Sequence, residues 1–149
     1  MSGKNQISRT ILRLIIILAC ALLLIQLVPY GRSHTNPPVV QEPAWDSPAT
    51  RSMAKTACFD CHSNETEWPW YANIAPASWL VQRDVGEGRL NLNFSEWGTG
   101  GQMDAGKVAE VIRQGEMPPF QYTLIHKEAR LSAAVREQFA AGMQKSLEK

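Results

Sequence analysis

The pattern of apolar and polar positions divides the chain into three parts. Residues 11–28, ILRLIIILACALLLIQLV, form an apolar run with two polar interruptions, and a helix of about 18–20 such residues spans the core of a bilayer. Residues 29–47 contain several prolines and follow neither a helical nor an alternating period, which predicts an extended tether. In residues 48–149 apolar positions recur with helical spacing and without strand-like alternation. We therefore expect a transmembrane helix, a tether and one all-α domain.

Local signals predict where the first two helices of this domain begin and end. The first should run over Pro48–Ala57 and into a cysteine motif, with Ser47 as its N-cap. The second should occupy about residues 76–85. Gly86 and Gly88 follow it, and because glycine is typical of helix ends we expect the helix to stop there.

Two further helices are predicted nearer the C-terminus. The third should be capped by Asp104 and should end at Gly115. The fourth should begin near Ser132. The apolar faces that they are expected to bury consist of Val108, Val111 and Ile112 in the third and Val135, Phe139 and Met143 in the fourth.

The charges around the apolar run predict the orientation of the chain in the membrane. Lys4, Arg9 and Arg13 lie at its N-terminal side, whereas only Arg32 and His34 follow it closely. The positive-inside rule then keeps residues 1–10 in the cytoplasm and exports everything after the span. We expect a single-pass protein of a bacterial inner membrane with its folded domain in the periplasm.

Two alternatives to an uncleaved anchor concern the middle of the run. Ala19-Cys20-Ala21 could be a signal-peptide cleavage site, but apolar residues continue beyond it, and a cleaved signal has a shorter apolar core. Cys20 could carry a lipid, yet the residues after it are apolar rather than polar and flexible. The uncleaved helix remains the preferred interpretation.

Overall charge carries little functional information. The 15 Lys and Arg residues nearly balance the 14 Asp and Glu residues, so the formal net charge is +1. No strongly basic field is present that would predict binding to nucleic acid. The expected partners are the membrane and redox proteins of unspecified identity.

The sequence Cys58-Phe59-Asp60-Cys61-His62 has the C-x-x-C-H spacing of a c-type haem attachment site. Two thiols on one helical turn can each form a thioether with a haem vinyl group. The next residue, His62, can then bind the iron as the proximal ligand. The motif predicts one covalently bound haem c.

Three other uses of this cysteine pair are weaker. A disulfide between Cys58 and Cys61, or a thioredoxin-like redox pair, leaves His62 unexplained, and the βαβ pattern of thioredoxins is absent. A zinc site would need two more ligands, and the remaining histidines are His34 in the tether and the distant His126.

Met117 is the candidate distal iron ligand. It lies between the expected helix end at Gly115 and Pro118-Pro119, which stiffen the backbone that would hold the thioether against the iron. The alternative reading is a methionine that fills a gap in the core. Met53, Met103 and Met143 are interpreted as loop or helix-face packing, and His126 would give a bis-histidine iron instead. Trp68, Trp70, Tyr71, Trp79 and Trp97 are candidates to line the haem pocket or to form ordinary core.

Most of residues 57–132 is made up of three blocks: CFDCHSNETEWPWYANIAPASWL, VGEGRLNLNFSEW and GEMPPFQYTLIHKEARLS. In this order they resemble the haem-binding domain family of small bacterial monohaem proteins, which are related in design to cytochrome c. The resemblance implies covalent haem at Cys58 and Cys61, His62 as the proximal ligand and Met117 as the distal one. It also implies an N-terminal membrane segment and a mainly helical, cytochrome c-like domain. Lys127 departs from the family pattern, in which a proline is expected after His126.

These expectations favour an electron carrier over an enzyme. A His/Met pair saturates the iron and leaves no open position for a substrate. We therefore expect single-electron transfer at the outer face of the membrane and no catalytic residues. A haem-based peroxidase or a gas or redox sensor, and a haem-bearing anchor subunit of a larger redox complex, are the alternatives.

Overall fold

A computed structural model of the chain describes residues 2–99 and 103–148. Within these ranges the chain forms α-helices and short 3-10 turns and no β-strand, which confirms the predicted all-α class. The helices are α1 Ser2–Ile25, α2 Pro48–Ala57, α3 Phe59–His62, α4 Ala77–Asn91, α5 Ala105–Gln114, α6 Phe120–Ile125 and α7 Ala133–Leu147.

The described residues form two compact units. The first contains the chain up to His34 together with Pro69–Arg83. The second contains Thr35–Trp68 together with the chain from Asp84 onward. The predicted haem-binding residues Cys58, Cys61, His62 and Met117 all belong to the second unit, which is therefore the one that positions the site.

The first unit is built on the N-terminal helix α1. Its segment Gln6–Ile25 is long and apolar enough to cross a membrane. The span was predicted to reach residue 28, but the helix ends at Ile25. Gln26 leaves the helix and exchanges two hydrogen bonds with the backbone of Ala75, at 2.8 and 3.0 Å. Pro29 also disfavours helical backbone just before it.

The core of the second unit forms where α5 packs against α7. Ala109 and Ala140 are completely buried, and such small side chains let two helices approach closely. The buried apolar cluster consists of Ala54, Phe59, Leu92, Phe94, Ala105, Val108, Ala109, Ile112, Phe139, Ala140, Met143 and Leu147. Phe59, which lies between the two motif cysteines, is part of this cluster, so the motif is anchored in the core.

The first and third predicted helices are confirmed as α2 and α5. Capping residues explain where these helices begin and end. Ser47 Oγ accepts a hydrogen bond from the Thr50 N–H at 3.1 Å at the start of α2. Asp104 Oδ1 accepts one from the Lys107 N–H at 3.1 Å at the start of α5. That helix ends where Gly115 adopts a left-handed φ of 75°.

The fourth predicted helix, α7, is also confirmed, with Ser132 as its N-cap. Most of the predicted apolar positions of α5 and α7 face the core. The fully buried ones are Val108, Ile112, Phe139 and Met143, and the half-buried ones are Val111 and Val135.

The second predicted helix is longer than the sequence indicated. It was expected to stop at Gly86 and Gly88, but α4 continues to Asn91. The Leu92 N–H donates to the Gly88 carbonyl oxygen at 2.9 Å, so the helical hydrogen bonds pass both glycines. Glycine costs a helix about 1 kcal/mol relative to alanine without ending it, and tertiary contacts can offset that cost.

Residues 29–47 contain no helix, as expected for an extended segment. Their second half is nevertheless bound to the second unit. The Val40 N–H donates to the Ser95 carbonyl oxygen at 2.8 Å. Trp45 packs against Phe94 with the ring centroids 5.5 Å apart. Part of the predicted tether therefore covers the core.

Candidate functional site

The cysteine motif occupies a single helical turn at the end of α2. The Cys58 N–H donates to the Ala54 carbonyl oxygen at 2.8 Å, which continues the backbone of α2 into the motif. The N–H groups of Cys61 and His62 both donate to the Cys58 carbonyl oxygen, at 3.1 and 2.8 Å. Cys58 and Cys61 are free thiols rather than a disulfide. The turn therefore brings together two thiols and an imidazole, as the spacing predicts.

The surroundings of the thiols are unlike those of a thioredoxin-type redox pair. Burial raises the pKa of Cys58 to about 12, and Cys61 adds to the effect. Burial, together with the nearby carboxylates of Asp84 and Asp60, raises the pKa of Cys61 to about 12. A reactive redox cysteine needs a lowered pKa, because the thiolate is the nucleophile.

The zinc alternative lacks a ligand set in the part of the chain that the structure describes. No group of three or more His, Cys, Asp or Glu side chains comes together there as a potential metal site. His34 belongs to the first unit, where its Nε2 lies 3.1 Å from the Ala72 carbonyl oxygen.

The His62 ring is oriented by two backbone carbonyl groups of α4 and the residue after it. Its Nδ1 lies 3.0 Å from the Gly88 oxygen and 3.1 Å from the Leu92 oxygen. Carbonyl oxygens only accept hydrogen bonds, so Nδ1 carries the proton and Nε2 keeps its lone pair. Burial lowers the pKa of His62 against the opposing effect of these hydrogen bonds. The neutral imidazole is therefore held in one orientation, with Nε2 as the nitrogen that could bind a metal ion.

Gly88 makes this arrangement possible because it has no side chain. A Cβ at this position would lie 2.3 Å from the Cys61 carbonyl oxygen and 2.8 Å from its carbonyl carbon. Both atoms are backbone and cannot yield as a flexible side chain would. Only glycine lets α4 approach the motif closely enough for its carbonyl oxygen to reach His62.

A known protein family matches most of the chain. The match covers residues 20–145, and the family is described as the haem-binding domain. The chain belongs to this family. Haem binding, predicted from the motif, is therefore supported by the family as well as by the residues. A search of curated proteins found no match, and neither did a search of solved structures.

The residues of the motif fit a haem-binding domain. Cys58 and Cys61 are unpaired, and each is only partly exposed. His62 has one nitrogen engaged by the protein and one available to iron, which is the usual state of a ligand histidine. These three residues are the ones that would hold the haem.

Met117 lies in the short connection between α5 and α6. Its N–H is 3.3 Å from the Val111 carbonyl oxygen, within the C-terminal turn of α5. The residue is 38% exposed and is not part of the buried apolar cluster. This exposure argues against the core-packing alternative, and the role of Met117 as the distal ligand stays a prediction.

The other candidate distal ligands make packing or stacking contacts within the fold. Met143 is fully buried in the core, and Met53 and Met103 pack against it, which confirms the packing role predicted for them. His126 stacks on Tyr122 with ring centroids 4.1 Å apart. Lys127, where the family pattern expects proline, starts the 3-10 turn Lys127–Ala129.

The predicted aromatic residues lie in both units, and lining of a haem pocket stays a prediction for them. Of the predicted set, Trp97 packs against the core. Trp70, Tyr71 and Trp79 belong to the first unit, and Trp70 is 76% exposed. The aromatic neighbours of the motif are instead Trp45, Phe59, Phe94 and Tyr122.

The sequence also did not predict the Arg89 hub, a set of hydrogen bonds donated by the Arg89 guanidinium. The Arg89 guanidinium donates to the carbonyl oxygens of Ser63 and Thr35, at 2.8 and 3.0 Å. It further donates to Asn36 Oδ1 at 3.0 Å and to Thr66 Oγ1 at 2.9 Å. These partners come from two stretches of chain, residues 35–36 and 63–66, both far from Arg89 in sequence, so no local signal could have identified Arg89.

Proposed function

We propose that this haem-binding protein is a c-type cytochrome that carries single electrons. In this proposal Cys58 and Cys61 bind one haem c covalently, His62 is the proximal iron ligand and Met117 the distal one. The observation that carries it is the orientation of His62, whose Nδ1–H is bound to Gly88 and Leu92 while Nε2 remains free.

The two thiols support covalent attachment. They lie on one turn and do not form a disulfide, so both are present as thiols that can react. Each thiol can add across one vinyl group, with the sulfur bonding one carbon and the proton passing to the other. Permanent attachment suits a small domain in an exported compartment, where a lost cofactor could not be recovered.

The ligand set supports electron transfer rather than catalysis. When bound, haem supplies one-electron chemistry at its iron, and a His/Met pair raises the reduction potential while leaving no position for a substrate. His62 is held by backbone groups that do not titrate. Phe59 and Phe94 are buried beside the motif, which gives its inner side apolar surroundings.

The proposed location of the protein is supported by α1. A helix able to cross a membrane, with Lys4, Arg9 and Arg13 on its N-terminal side, supports a single-pass anchor in a bacterial inner membrane. In this proposal the haem-binding residues lie in the periplasm, where c-type haem attachment and exchange of electrons with other redox proteins would occur.

The proposal is tested on full-length protein made together with a cytochrome c maturation system. Haem should remain with the denatured chain during acid-acetone extraction, and the Cys58→Ala, Cys61→Ala double variant should lose it. Ferrous wild-type protein should bind carbon monoxide slowly. Met117→Ala should bind it at once and lose the weak ferric sulfur-to-iron band, with haem still attached. Extractable haem would refute covalent attachment, and immediate carbon monoxide binding by the wild type would favour an enzyme or sensor.

A further inference from the structure

The side chain of Tyr122 connects α6 to the cysteine motif. Its hydroxyl donates a hydrogen bond to Asp60 Oδ2 at 2.7 Å. Asp60 lies between the two motif cysteines, and its other carboxylate oxygen accepts the Glu67 N–H at 3.0 Å. A short hydrogen bond to a carboxylate is among the stronger contacts that a neutral donor makes. The contact spans the sequence from position 60 to position 122.

Tyr122 is itself held in place on its other side. The His126 ring stacks on it with an interplanar angle of 7° and a centroid distance of 4.1 Å. His126 Nδ1 in turn lies 3.2 Å from Glu128 Oε1. Burial, with the Asp60 carboxylate beside the hydroxyl, raises the pKa of Tyr122, so the phenol stays protonated and able to donate.

Met117 lies between two anchored points of the backbone. On its N-terminal side, the N–H groups of Glu116 and Met117 both lie close to the Val111 carbonyl oxygen of α5, at 3.0 and 3.3 Å. On its C-terminal side, Pro118 leads to Pro119, whose carbonyl oxygen accepts the Tyr122 N–H at 3.1 Å in the first turn of α6. Proline fixes φ, so this connection transmits the position of α6 to Met117.

We propose that the Tyr122–Asp60 hydrogen bond is a latch that positions Met117 toward the iron. The inference rests on the proposed function, in which Met117 is the distal ligand. Asp60 is carried by the turn that the haem would be bonded to, and Tyr122 is carried by the helix that follows Met117. Joining the two limits how far the methionine can move from the proximal motif. Tyr122 is a positioning residue in this proposal because it acts through Met117.

The test uses the Tyr122→Phe variant of the full-length holoprotein in detergent, which removes one hydroxyl and keeps the ring that stacks on His126. Two melting curves are recorded, one for the ferric sulfur-to-iron band and one for the helical circular dichroism. We expect the band to disappear at a lower temperature than in the wild type while the helical transition moves much less. The ferrous variant should bind carbon monoxide about ten-fold faster, as loss of one hydrogen bond to a charged acceptor implies.

Tyr30→Phe is the matched control, because Tyr30 is 54% exposed and belongs to the first unit. It should leave both curves unchanged. Asp60→Ala should have at least the effect of Tyr122→Phe, because it removes the Tyr122 bond and also the acceptor of the Glu67 N–H. Adding Tyr122→Phe to Asp60→Ala should change little further, since the bond they share is already lost. If Tyr122→Phe does not accumulate as holoprotein, the melting curves of Asp60→Ala decide the question.

The outcomes separate the latch from the function on which it rests. A wild-type protein without the sulfur-to-iron band removes Met117 as the distal ligand, and the latch with it. A wild-type band that Met117→Ala abolishes, but that is equally stable in Tyr122→Phe, overturns the latch alone. The latch is also overturned if Tyr122→Phe lowers the melting temperatures of the ferric band and of the helical signal by equal amounts. Tyr122 would then stabilise only the fold.

Discussion

The Nδ1–H of His62 donates to the carbonyl oxygen of Gly88 at 3.0 Å. The same glycine lies so close to Cys61 that no side chain could be added to it without a backbone clash. One position on α4 therefore both orients the imidazole and contacts the residue beside it. Substitutions on α4 should affect the haem site without touching any iron ligand.

Gly88→Ala should destabilise the protein and disturb His62. The new Cβ would meet the Cys61 carbonyl group at 2.3 Å, and because neither backbone can yield cheaply, α4 must shift. Overpacking of this kind costs about 1–3 kcal/mol in the free energy of unfolding. Urea denaturation of the holoprotein measures the loss, and the Soret spectrum reports on His62.

Gly86→Ala is the matched control on the same helix. A Cβ there has no neighbour within 4 Å, and alanine favours a helix over glycine by about 1 kcal/mol. This variant should be at least as stable as the wild type. Equal stability of the two alanine variants would contradict the close packing of α4 on the motif.

The contrast between α4 and α5 shows which features sequence patterns could predict. The bounds of α5 follow from residues inside or next to it: Asp104 caps its start, and Gly115 takes the left-handed conformation at its end. In α4, by contrast, Gly88 lies inside the helix and packs against the backbone of Cys61, which is far away in sequence. A rule that reads glycine as a helix stop could not anticipate that Gly88 is required inside the helix.

Only those residues of the site that are close together in sequence could be predicted. The thiols and the imidazole share one turn, so their spacing alone predicts their grouping. The residues that surround this turn come from elsewhere in the chain. Trp45 was assigned to the tether yet packs against Phe59, with ring centroids 6.2 Å apart, and Tyr122 lies in a helix too short to show a periodic pattern.

Arg89→Lys should destabilise the second unit although it preserves the charge. The guanidinium donates to four acceptors, on Ser63, Thr35, Asn36 and Thr66. A lysine ammonium is a single point of donation and cannot reach all four. We expect the free energy of unfolding to fall by about 1–3 kcal/mol, measured by urea denaturation.

Arg113→Lys is the control for this substitution. Arg113 forms an ion pair with Glu137 at 3.0 Å, and Glu137 is 64% exposed in its side chain. Exposed pairs contribute about 0–1 kcal/mol, so exchanging Arg113 for lysine should change the stability little. A loss at Arg89 no larger than that at Arg113 would mean that the hydrogen bonds of the hub contribute little.

The proposed topology predicts the activity of a reporter fused to the C-terminus. Alkaline phosphatase joined after Lys149 should be active, because the enzyme folds only where disulfides form. The fusion should remain with the membrane fraction after a salt wash. Inactive phosphatase would contradict the orientation, and an active fusion in the soluble fraction would indicate a cleaved signal instead of the anchor α1.

The ion pair between Glu42 and Arg51 predicts how stability changes in acid. Arg51 Nε and Nη2 donate to the Glu42 carboxylate at 2.7 and 2.6 Å. The Arg51 hydrogen bond is the main cause that lowers the pKa of Glu42 below its ordinary value of 4.5, against the opposing effect of burial. A depressed pKa in the folded state means that the ionised form stabilises the fold. This contribution is complete above the ordinary pKa and disappears as the pH falls through the lowered value.

Glu42→Gln should therefore be less stable than the wild type at pH 7, and the difference should shrink when unfolding is measured at pH 3. The glutamine cannot ionise, so its own stability lacks this contribution at either pH. Because Glu42 and Arg51 are partly exposed, the effect should be modest and should weaken further in high salt. Glu137→Gln, which removes one partner of the exposed Arg113 pair, provides the comparison at both pH values. A Glu42→Gln deficit that stays constant from pH 7 to pH 3 would show that glutamine loses packing or hydrogen bonds to Trp45 rather than charge, since only the ionised form of Glu42 responds to pH in this range.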